Sequence, residues 1–239
     1  MASVYDQVYE RSLRDPEGFW AAAAEDIHWE RRWDKVFDDA RKPFYRWFAG
    51  GRLNTCFNAL DVHIERGRGK QIALIYDSPV TGVERAYTYN GLRDEVARCA
   101  GALRRQGIAK GDRVIIYMPM VPEAVIGMLA CARIGAIHSV VFGGFAAPEL
   151  AKRIEDAAPR LILSASCGIE VGRVIPYKPL LDRAIEISGH KPDRCVILQR
   201  PEEAAALIRG RDLDWDDFLA GAPAAECVPV AATDPLYIL

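Results

Sequence analysis

The feature that most constrains the fold is a regular alternation of strand-like and helix-like segments between residues 113 and 198. Strands are predicted at residues 113–118, 137–142, 161–165 and 195–198, and helices at residues 122–134, 148–157 and 180–188. The strand segments contain continuous apolar runs, VIIY at residues 114–117 and VIL at residues 196–198, which is typical of parallel strands buried on both faces. The pattern therefore predicts an α/β fold with a largely parallel sheet flanked by helices.

Prolines and glycines mark the ends of several of these helices. Pro122 and Pro148 stand where a helix should begin, a position at which the missing N–H costs nothing. Gly135 follows the helix that Pro122 starts, and Gly107 ends an earlier amphipathic helix. That earlier helix is preceded by two predicted strands, 72–76 and 85–88, around a turn at residues 79–82.

The first 66 residues differ in character from the rest of the chain. They carry four tryptophans and are broken by turns at residues 15–16, 42–43 and 50–51, which predicts a helical and coil extension without an independent core. Residues 65–70 have the composition of an exposed connection. We therefore predict two regions, an extension at residues 1–66 and an α/β domain at residues 67–239.

Composition makes some classes of partner poor candidates. The formal net charge is -2, so the chain has no basic excess with which to bind a nucleic acid backbone or an anionic membrane. The longest apolar stretch, residues 124–132, falls well short of the roughly 20 residues that a membrane span needs. We expect neither nucleic acid nor membrane as a partner.

Cysteine and histidine usage bears on location and metal binding. The six cysteines are spread along the chain without a CxxC pair, and the polar, acidic start at residues 1–15 resembles neither a signal peptide nor a transit peptide. Both features predict a reduced, cytoplasmic protein. The four histidines show no HxxxH or HExxH spacing, so no metal site is expected.

A strand that runs into two glycines ahead of a helix is the most suggestive local motif. It reads VVFGGF at residues 140–145. Gly143 and Gly144 would let the backbone approach a phosphate or an adenine ring, and the helix start would supply N–H donors. The alternative is a tight turn that binds nothing. In open parallel sheets ligands collect beyond the carboxyl ends of the strands, which here means the turns at residues 118–121, 142–147 and 164–173.

Charged residues in the second half of the chain have two interpretations each. Arg173 follows a strand end beside a glycine, which suits a cation that reaches a phosphate, but it could equally be a solvated loop arginine paired with Glu170. Lys178 carries the same two interpretations. The acidic run at residues 209–217 is better explained as a helix start packed by Trp215 than as a metal or acid–base site.

Several nucleotide and hydrolase motifs are missing from the sequence. The chain contains no GxxxxGK[ST], no GxGxxG, no GxSxG and no phosphate loop rich in serine, threonine and glycine. Ordinary nucleotide hydrolysis, dinucleotide binding and serine hydrolase chemistry therefore have no local signature.

Longer strings carry a family resemblance. The segments YMPMVPEA at residues 117–124 and MLACARIGAIHSVVFGGF at residues 128–145 closely resemble the acetyl- and propionyl-CoA synthetases of the adenylate-forming superfamily. WFAGGRLN at residues 47–54 and NALD at residues 58–61 resemble the N-terminal extension of that subfamily. The resemblance covers nearly the whole chain and implies the first part of the N-terminal domain of such an enzyme.

Three further strings favour the propionyl branch of the subfamily. YDSPVT at residues 76–81, CGIE at residues 167–170 and GRDLDWD at residues 210–216 are more similar to propionyl-CoA synthetases than to acetyl-CoA synthetases. Acetyl enzymes usually have an arginine where Glu170 stands, with a second arginine that matches Arg173. One of two phosphate-binding cations is therefore replaced by a carboxylate in this chain.

The resemblance implies a two-step ligase reaction. A carboxylate, here propionate, attacks the α-phosphorus of MgATP to give acyl-AMP and pyrophosphate, and the thiol of CoA then displaces AMP. Phe142, Gly143, Gly144 and Arg173 match family positions near the CoA nucleotide, whereas the ATP phosphate loop, the magnesium-binding residues, the acyl pocket and the catalytic lysine would come later. We therefore expect this chain to be an N-terminal fragment that contains no catalytic residue, is inactive alone and holds no bound cofactor.

Two alternatives to propionate activation stay open. The parent enzyme could activate acetate or another short acid, because the pocket that would distinguish them is not in this sequence. A function of another class would be a noncatalytic module that binds a CoA-type nucleotide or a protein partner, since the chain has neither an ATP loop nor the catalytic lysine.

Overall fold

The computed structural model describes residues 3–239 and shows a mixed α/β chain. Its helices are α1 (Val4–Arg14), α2 (Pro16–Ala23), α3 (Tyr89–Arg105), α4 (Pro122–Ile134), α5 (Ala147–Ala157), α6 (Tyr177–Ile187) and α7 (Trp215–Leu219). Its strands are β1 (Lys35–Asp38), β2 (Arg46–Ala49), β3 (Arg52–Leu53), β4 (Ile72–Ser78), β5 (Val83–Thr88), β6 (Arg113–Tyr117), β7 (Ile137–Val140), β8 (Leu161–Ala165), β9 (Cys167–Glu170), β10 (Arg173–Pro176), β11 (Arg194–Leu198), β12 (Asp212–Asp214), β13 (Val230–Ala231) and β14 (Tyr237–Ile238).

The chain divides into two compact units. One comprises residues 1–54 and 229–234, and the other comprises residues 55–228 and 235–239. The sequence-based boundary near residue 66 stays a prediction.

The larger unit is built on a six-stranded sheet with the strand order β12, β11, β8, β6, β7, β14. All five neighbouring pairs in this sheet are parallel, so the predicted α/β fold is confirmed. In the register, Ile115 of β6 lies opposite Ile162 of β8 on one side and Ser139 of β7 on the other. Beside the sheet, β4 and β5 form the antiparallel hairpin expected around the turn at residues 79–82.

Both faces of the sheet are covered, which explains the continuous apolar strands. Successive side chains of a strand point to opposite faces. Val114 and Ile116 accordingly pack in one core with α3, α4 and α7, while Ile115 and Tyr117 pack in a second core with α5 and α6. All four side chains are fully buried.

The predicted helix ends of α4 are confirmed. Pro122 occupies the first turn, and Gly135 caps the other end in the left-handed region with φ +74°. The helix after β7 starts at Ala147, one residue before the expected position. These ends fix the turns that join the strands to the helices at the carboxyl edge of the sheet.

A hairpin replaces part of the turn that was expected at residues 164–173. Strands β9 and β10 pair antiparallel, with Glu170 opposite Arg173. Only two residues, Val171 and Gly172, connect them, and Gly172 adopts φ +80°, a conformation that glycine accepts without a steric penalty. The hairpin lifts Glu170 and Arg173 beyond the carboxyl end of β8.

The smaller unit contains the expected helices and, in addition, two short antiparallel ladders. Helix α1 has a capping box in which Ser3 and Asp6 satisfy each other's backbone N–H groups. Strand β1 pairs with β2, and β3 pairs with β13. The ring of Phe37 lies 4.7 Å from that of Trp47 across the first ladder, so aromatic pairing accounts for strands that the turn-rich sequence did not predict.

Among the described residues, no helix combines the length and the apolar character that crossing a membrane would require.

Candidate functional site

A cleft of about 350 Å³ opens at the carboxyl edge of the sheet in the larger unit. Its walls come from the residues that follow β6, β7 and β11, from the tip of the β4–β5 hairpin and from the β9–β10 hairpin. This is the edge at which open parallel sheets bind their ligands. Phe142, Gly143, Gly144 and Glu170 all line the cleft, so the structure brings these sequence-predicted positions together.

The turn after β7 places an aromatic side chain in solvent. Phe142 is 71% exposed although it follows a buried strand. Its ring packs edge-on with that of Phe145, at a centroid distance of 5.9 Å. Helix α5 begins just beyond, and its N-cap residue Ala146 supplies no side-chain cap. An exposed aromatic face next to an uncapped helix start suits a ligand that has a flat ring and a negative charge.

Gly143 is required for packing inside the protein. A Cβ atom at this position would lie 2.2 Å from the hydroxyl oxygen of Tyr177, and one at Gly168 would lie 2.5 Å from the same ring. Tyr177 in turn stacks on Tyr117 at 5.0 Å. Gly143 therefore lies in a tightly packed turn, which fixes the floor of the cleft, and its role in binding stays a prediction.

Tyr117 ties the strand end to the turn. Its hydroxyl donates a hydrogen bond to the carbonyl oxygen of Phe145 at 3.0 Å. Burial raises the pKa of Tyr117 to about 12, so the hydroxyl keeps its proton and remains a donor at neutral pH. The turn that carries Phe142 is thereby held in place by a bond from the centre of the sheet.

Arg173 is paired with Glu170 on the hairpin. The Nε and Nη2 atoms of Arg173 lie 2.8 and 2.6 Å from one carboxylate oxygen of Glu170. The side chain of Arg173 is 69% exposed and is not among the described residues that line the cleft. Exposed ion pairs of this kind contribute little, between about 0 and 1 kcal/mol, so a phosphate could compete with the carboxylate for the guanidinium group.

Arg200 is a cation in the cleft that the sequence analysis missed. It follows β11, and its side chain is only 10% exposed. Its backbone N–H donates to Ser166 Oγ at 2.9 Å, and Nη1 lies 3.4 Å from the carbonyl oxygen of Cys167. The rule that ligands collect at strand ends applies to β11 as well, so that signal was available in the sequence.

Lys178 has neither of the two roles considered from the sequence, a phosphate-binding cation or a solvated loop residue. It is buried, and its Nζ atom lies 2.6 Å from Asp182 and 3.0 Å from Asp212. Arg211 pairs with the same two carboxylates. Lys178 is therefore part of a buried ion network, which leaves it unavailable to a phosphate in the cleft.

The acidic run forms a helix start, as expected. Asp214 caps α7 by accepting a hydrogen bond from the N–H of Asp216, and Trp215 is buried.

Within the described residues, one group brings three potential metal-binding atoms within 4.8 Å of one another, and it consists of Cys56, Asp61 and Cys227. The expectation of no metal site stays a prediction.

Comparison with known families matches most of the chain. Residues 61–239 match the AMP-binding enzyme family, and residues 5–59 match the acetyl-coenzyme A synthetase N-terminus. In the solved structure of acetoacetyl-CoA synthetase from Streptomyces lividans the same fold recurs with a TM-score of 0.87 and 24% identity, over 100% of this chain and 36% of that one.

Curated relatives agree with the family match. An uncharacterized protein of Pseudomonas aeruginosa is 57% identical over 98% of this chain and 37% of its own length. The human acyl-CoA synthetase short-chain family member 3, mitochondrial, is 51% identical over 99% of this chain and 35% of its own length. Propionate–CoA ligase of Salmonella typhimurium is 48% identical over 88% of this chain and 33% of its own length. The chain thus spans about a third of the length of these relatives, and it belongs to the AMP-binding enzyme family, joined to an acetyl-coenzyme A synthetase N-terminus.

Proposed function

We propose that these residues form part of an AMP-forming short-chain acyl-CoA synthetase that acts on propionate, ATP and CoA. The reaction would give propionyl-CoA, AMP and pyrophosphate through propionyl-AMP. Support comes from the 48% identity with a propionate–CoA ligase and from the propionyl-type strings at residues 76–81, 167–170 and 210–216. A cytoplasmic location is part of the proposal, and the six unpaired cysteines of the structure are compatible with it.

The observation that carries the proposal is the cleft at the carboxyl edge of the sheet. It combines the exposed ring of Phe142, the close-packed backbone of Gly143 and Gly144, and the Arg200 side chain. We assign the nucleotide part of CoA to this cleft. Phe142 would stack on the adenine ring, and the guanidinium groups of Arg200 and Arg173 would face its phosphates.

Within this proposal the chain contributes binding and orientation of CoA. The bond from Tyr117 to Phe145 holds the turn that carries Phe142, so the aromatic face is in place before the ligand arrives. The β9–β10 hairpin holds Arg173 directly after its two-residue turn, where a phosphate can take over the guanidinium group from Glu170. MgATP would be held by other parts of the intact enzyme, and it would supply the adenylyl group.

We expect Arg173→Ala to weaken the binding of CoA by about tenfold in the intact enzyme while adenylate formation stays nearly unchanged. A hydrogen bond to a charged group contributes about 1.5–3 kcal/mol, and the exposure of Arg173 favours the lower end of that range. Glu170→Arg should tighten the binding of CoA, because it removes the competing carboxylate and adds a second cation. Steady-state kinetics against CoA at two salt concentrations measure both effects, since an exposed ionic contact weakens with salt.

A matched control for Arg173 is available in α6. Arg183 is also exposed and is also paired with a glutamate three residues away, Glu186, at 2.7 Å. Arg183→Ala should leave the Michaelis constant for CoA unchanged. If Arg173→Ala behaves like Arg183→Ala, Arg173 is a surface arginine without a role in CoA binding.

The intact protein should prefer propionate, and this chain alone should not catalyse carboxylate-dependent ATP–pyrophosphate exchange. Charge on the transferring phosphoryl group has to be stabilised by positioned donors and magnesium, for which these residues offer no signature. The measurement is exchange with acetate, propionate and butyrate for the intact protein and for the 239-residue chain. A higher kcat/KM for acetate would reassign the substrate, and exchange by the chain alone would show that the active site has been misplaced.

The noncatalytic alternative makes a different prediction for the intact protein. A module that only binds a CoA-type nucleotide would take up CoA in a calorimetric titration and show no exchange with any short acid. Binding of CoA together with exchange supports the ligase.

A further inference from the structure

Four side chains of the larger unit form a compact polar cluster around two thiols. Cys56 precedes the π-helical segment Phe57–Asp61 and Asp61 ends it, Arg133 lies in the last turn of α4, and Cys227 follows α7. The two Sγ atoms and a carboxylate oxygen of Asp61 lie within 4.8 Å of one another. Nη1 of Arg133 lies 3.6 Å from Cys56 Sγ, and Cys227 Sγ lies 3.7 Å from Asp61 Oδ2.

The cluster is separate from the cleft. Helix α4 runs from the carboxyl end of β6 back to the beginning of β7, so Arg133 in its last turn lies at the opposite edge of the sheet. The residues of the cluster take no part in the proposed binding of CoA. Their arrangement therefore needs an explanation of its own.

The backbone around Cys227 is anchored on both sides of the thiol. The N–H of Val228 donates to the carbonyl oxygen of Arg133 at 2.8 Å, and Nε of Arg133 donates to the carbonyl oxygen of Ala225 at 2.6 Å. These bonds hold Cys227 beside Cys56 although the two are far apart in the sequence. The proximity of the thiols is thus built into the packing of α4.

Arg133 makes the cluster unfavourable for a divalent cation. It donates to both oxygens of Asp61, at 2.8 and 3.0 Å, so the only carboxylate of the group is already neutralised. A metal cation would have to displace the guanidinium group of Arg133, whose side chain is only 2% exposed. The same cation favours the thiolate form of a neighbouring cysteine.

The acidities of the thiols follow from these contacts. A hydrogen bond from Cys227 lowers the pKa of Cys56, desolvation opposes the shift, and the bond from Arg133 lowers the pKa further. The pKa of Cys227 is raised, first through the same bond to Cys56 and then through burial. In the cores, by contrast, burial raises the pKa of Cys99 and of Cys195 to about 12. Cys56 is as buried as Cys99 and packs in the same core, but its contacts with Arg133 and Cys227 make it the more acidic thiol.

We propose that Cys56 and Cys227 are a reversible redox pair that hydrogen peroxide converts into an intramolecular disulfide. The Cys56 thiolate attacks one oxygen of the peroxide, the O–O bond breaks, and protonation of the leaving hydroxide gives water and a sulfenic acid on Cys56. Cys227 then attacks that sulfur, its proton passes by way of Asp61 to the departing hydroxyl group, and a second water leaves as the S–S bond forms. In total, two thiols and one peroxide give one disulfide and two waters, and a dithiol reductant reverses the change.

Cys227 is half-buried, whereas Cys56 is fully buried. Hydrogen peroxide is close to water in size, so a local opening beside Cys227 would let it reach Cys56. The disulfide would remove the hydrogen bond that Cys56 accepts from Arg133 and the one that Cys227 donates to Asp61. Oxidation therefore alters the contacts at the end of α4 without touching the cleft.

Limited treatment of the purified protein with hydrogen peroxide tests the proposal. We expect loss of two of the six thiols, a Cys56–Cys227 cross-linked peptide in a digest made without reductant, and recovery of both thiols on addition of dithiothreitol. Cys99, Cys131 and Cys195 in the same digest are internal controls that should stay reduced. Cys227→Ser should form no disulfide and should accumulate a sulfenic acid on Cys56, seen as one added oxygen in the peptide that contains it.

Two outcomes would overturn the proposal. One is oxidation of the core cysteines as early as Cys56 and Cys227, or persistence of both thiols when other groups are already oxidised. The other is one equivalent of zinc bound to the reduced protein and lost in Cys56→Ser, which would make the cluster a metal site. The digest of the unaltered protein decides the question even if a variant folds poorly.

Discussion

Replacing Arg133 by methionine should lower the free energy of unfolding by about 3–5 kcal/mol, because it leaves a carboxylate without its partner in a buried place. The Arg133 side chain is 2% exposed and that of Asp61 is 13% exposed. Methionine fills a similar volume but donates no hydrogen bond. Both oxygens of Asp61 and the carbonyl oxygen of Ala225 lose a donor.

Urea unfolding followed by far-ultraviolet circular dichroism measures the effect of Arg133→Met. Arg183→Met is the matched control, since Arg183 is 59% exposed and its pair with Glu186 lies in solvent. The control should change the free energy of unfolding by less than about 0.5 kcal/mol. Equal effects of the two substitutions would show that the Arg133–Asp61 pair does not stabilise the fold.

A double substitution separates the loss of the pair from the stranded charge. Arg133→Met with Asp61→Leu removes both partners, so no buried carboxylate is left unpaired. We expect the double variant to be more stable than Arg133→Met alone, because much of the cost of the single change is the uncompensated charge on Asp61. Asp61→Leu alone completes the comparison. If the double variant loses as much free energy of unfolding as Arg133→Met and Asp61→Leu lose in sum, the charge on Asp61 is not what makes Arg133→Met costly.

The sheet could be predicted because its signal is local and strong. Residues 161–165 are apolar except for Ser164 and form β8 with the predicted bounds, and Pro122 and Gly135 mark α4. The β9–β10 hairpin was missed because its strands are short, β9 contains glycine and glutamate, and β10 ends in a proline. Its turn signal, Gly172, was present, but a single glycine does not distinguish a hairpin from a loop.

The candidate site was predictable only in part for a similar reason. Phe142, Gly143 and Gly144 lie in one continuous motif that follows a predicted strand, so sequence alone could place them at the carboxyl edge. Arg200 lies in a segment with no motif of its own, and its position in the cleft depends on β11 lying next to β8.

Buried polar groups are the features that the sequence could not show. Lys178 and Asp182 are four residues apart on α6, a spacing that favours pairing, but Asp212 reaches Lys178 only because β12 lies beside that helix. Cys56 and Cys227 are far apart in the sequence of the larger unit, and the packing around Arg133 brings their thiols together. Such contacts depend on tertiary structure, which residue type and spacing do not encode.

Two glycines of helix α3 should respond to alanine with opposite signs. A Cβ atom at Gly101 would lie 1.7 Å from the carbonyl oxygen of Pro223, which is a backbone atom and cannot swing away. A Cβ atom at Gly91 would meet nothing closer than Thr88 Oγ1 at 3.5 Å, an ordinary van der Waals distance. Only Gly101 is therefore required by a close approach of the chain.

We expect Gly101→Ala to lower the free energy of unfolding by about 3 kcal/mol or more, since α3 or the segment at Pro223 has to move. Gly91→Ala should raise it by up to about 1 kcal/mol, because alanine has the higher helix propensity and the N-cap bond from the Gly91 N–H to Thr88 needs no side chain at this position. Urea unfolding of both variants under identical conditions measures the difference. Because the two glycines share one helix, propensity alone would make both substitutions stabilising. A stable Gly101→Ala variant would therefore mean that α3 does not pack against the backbone of Pro223 as the structure has it.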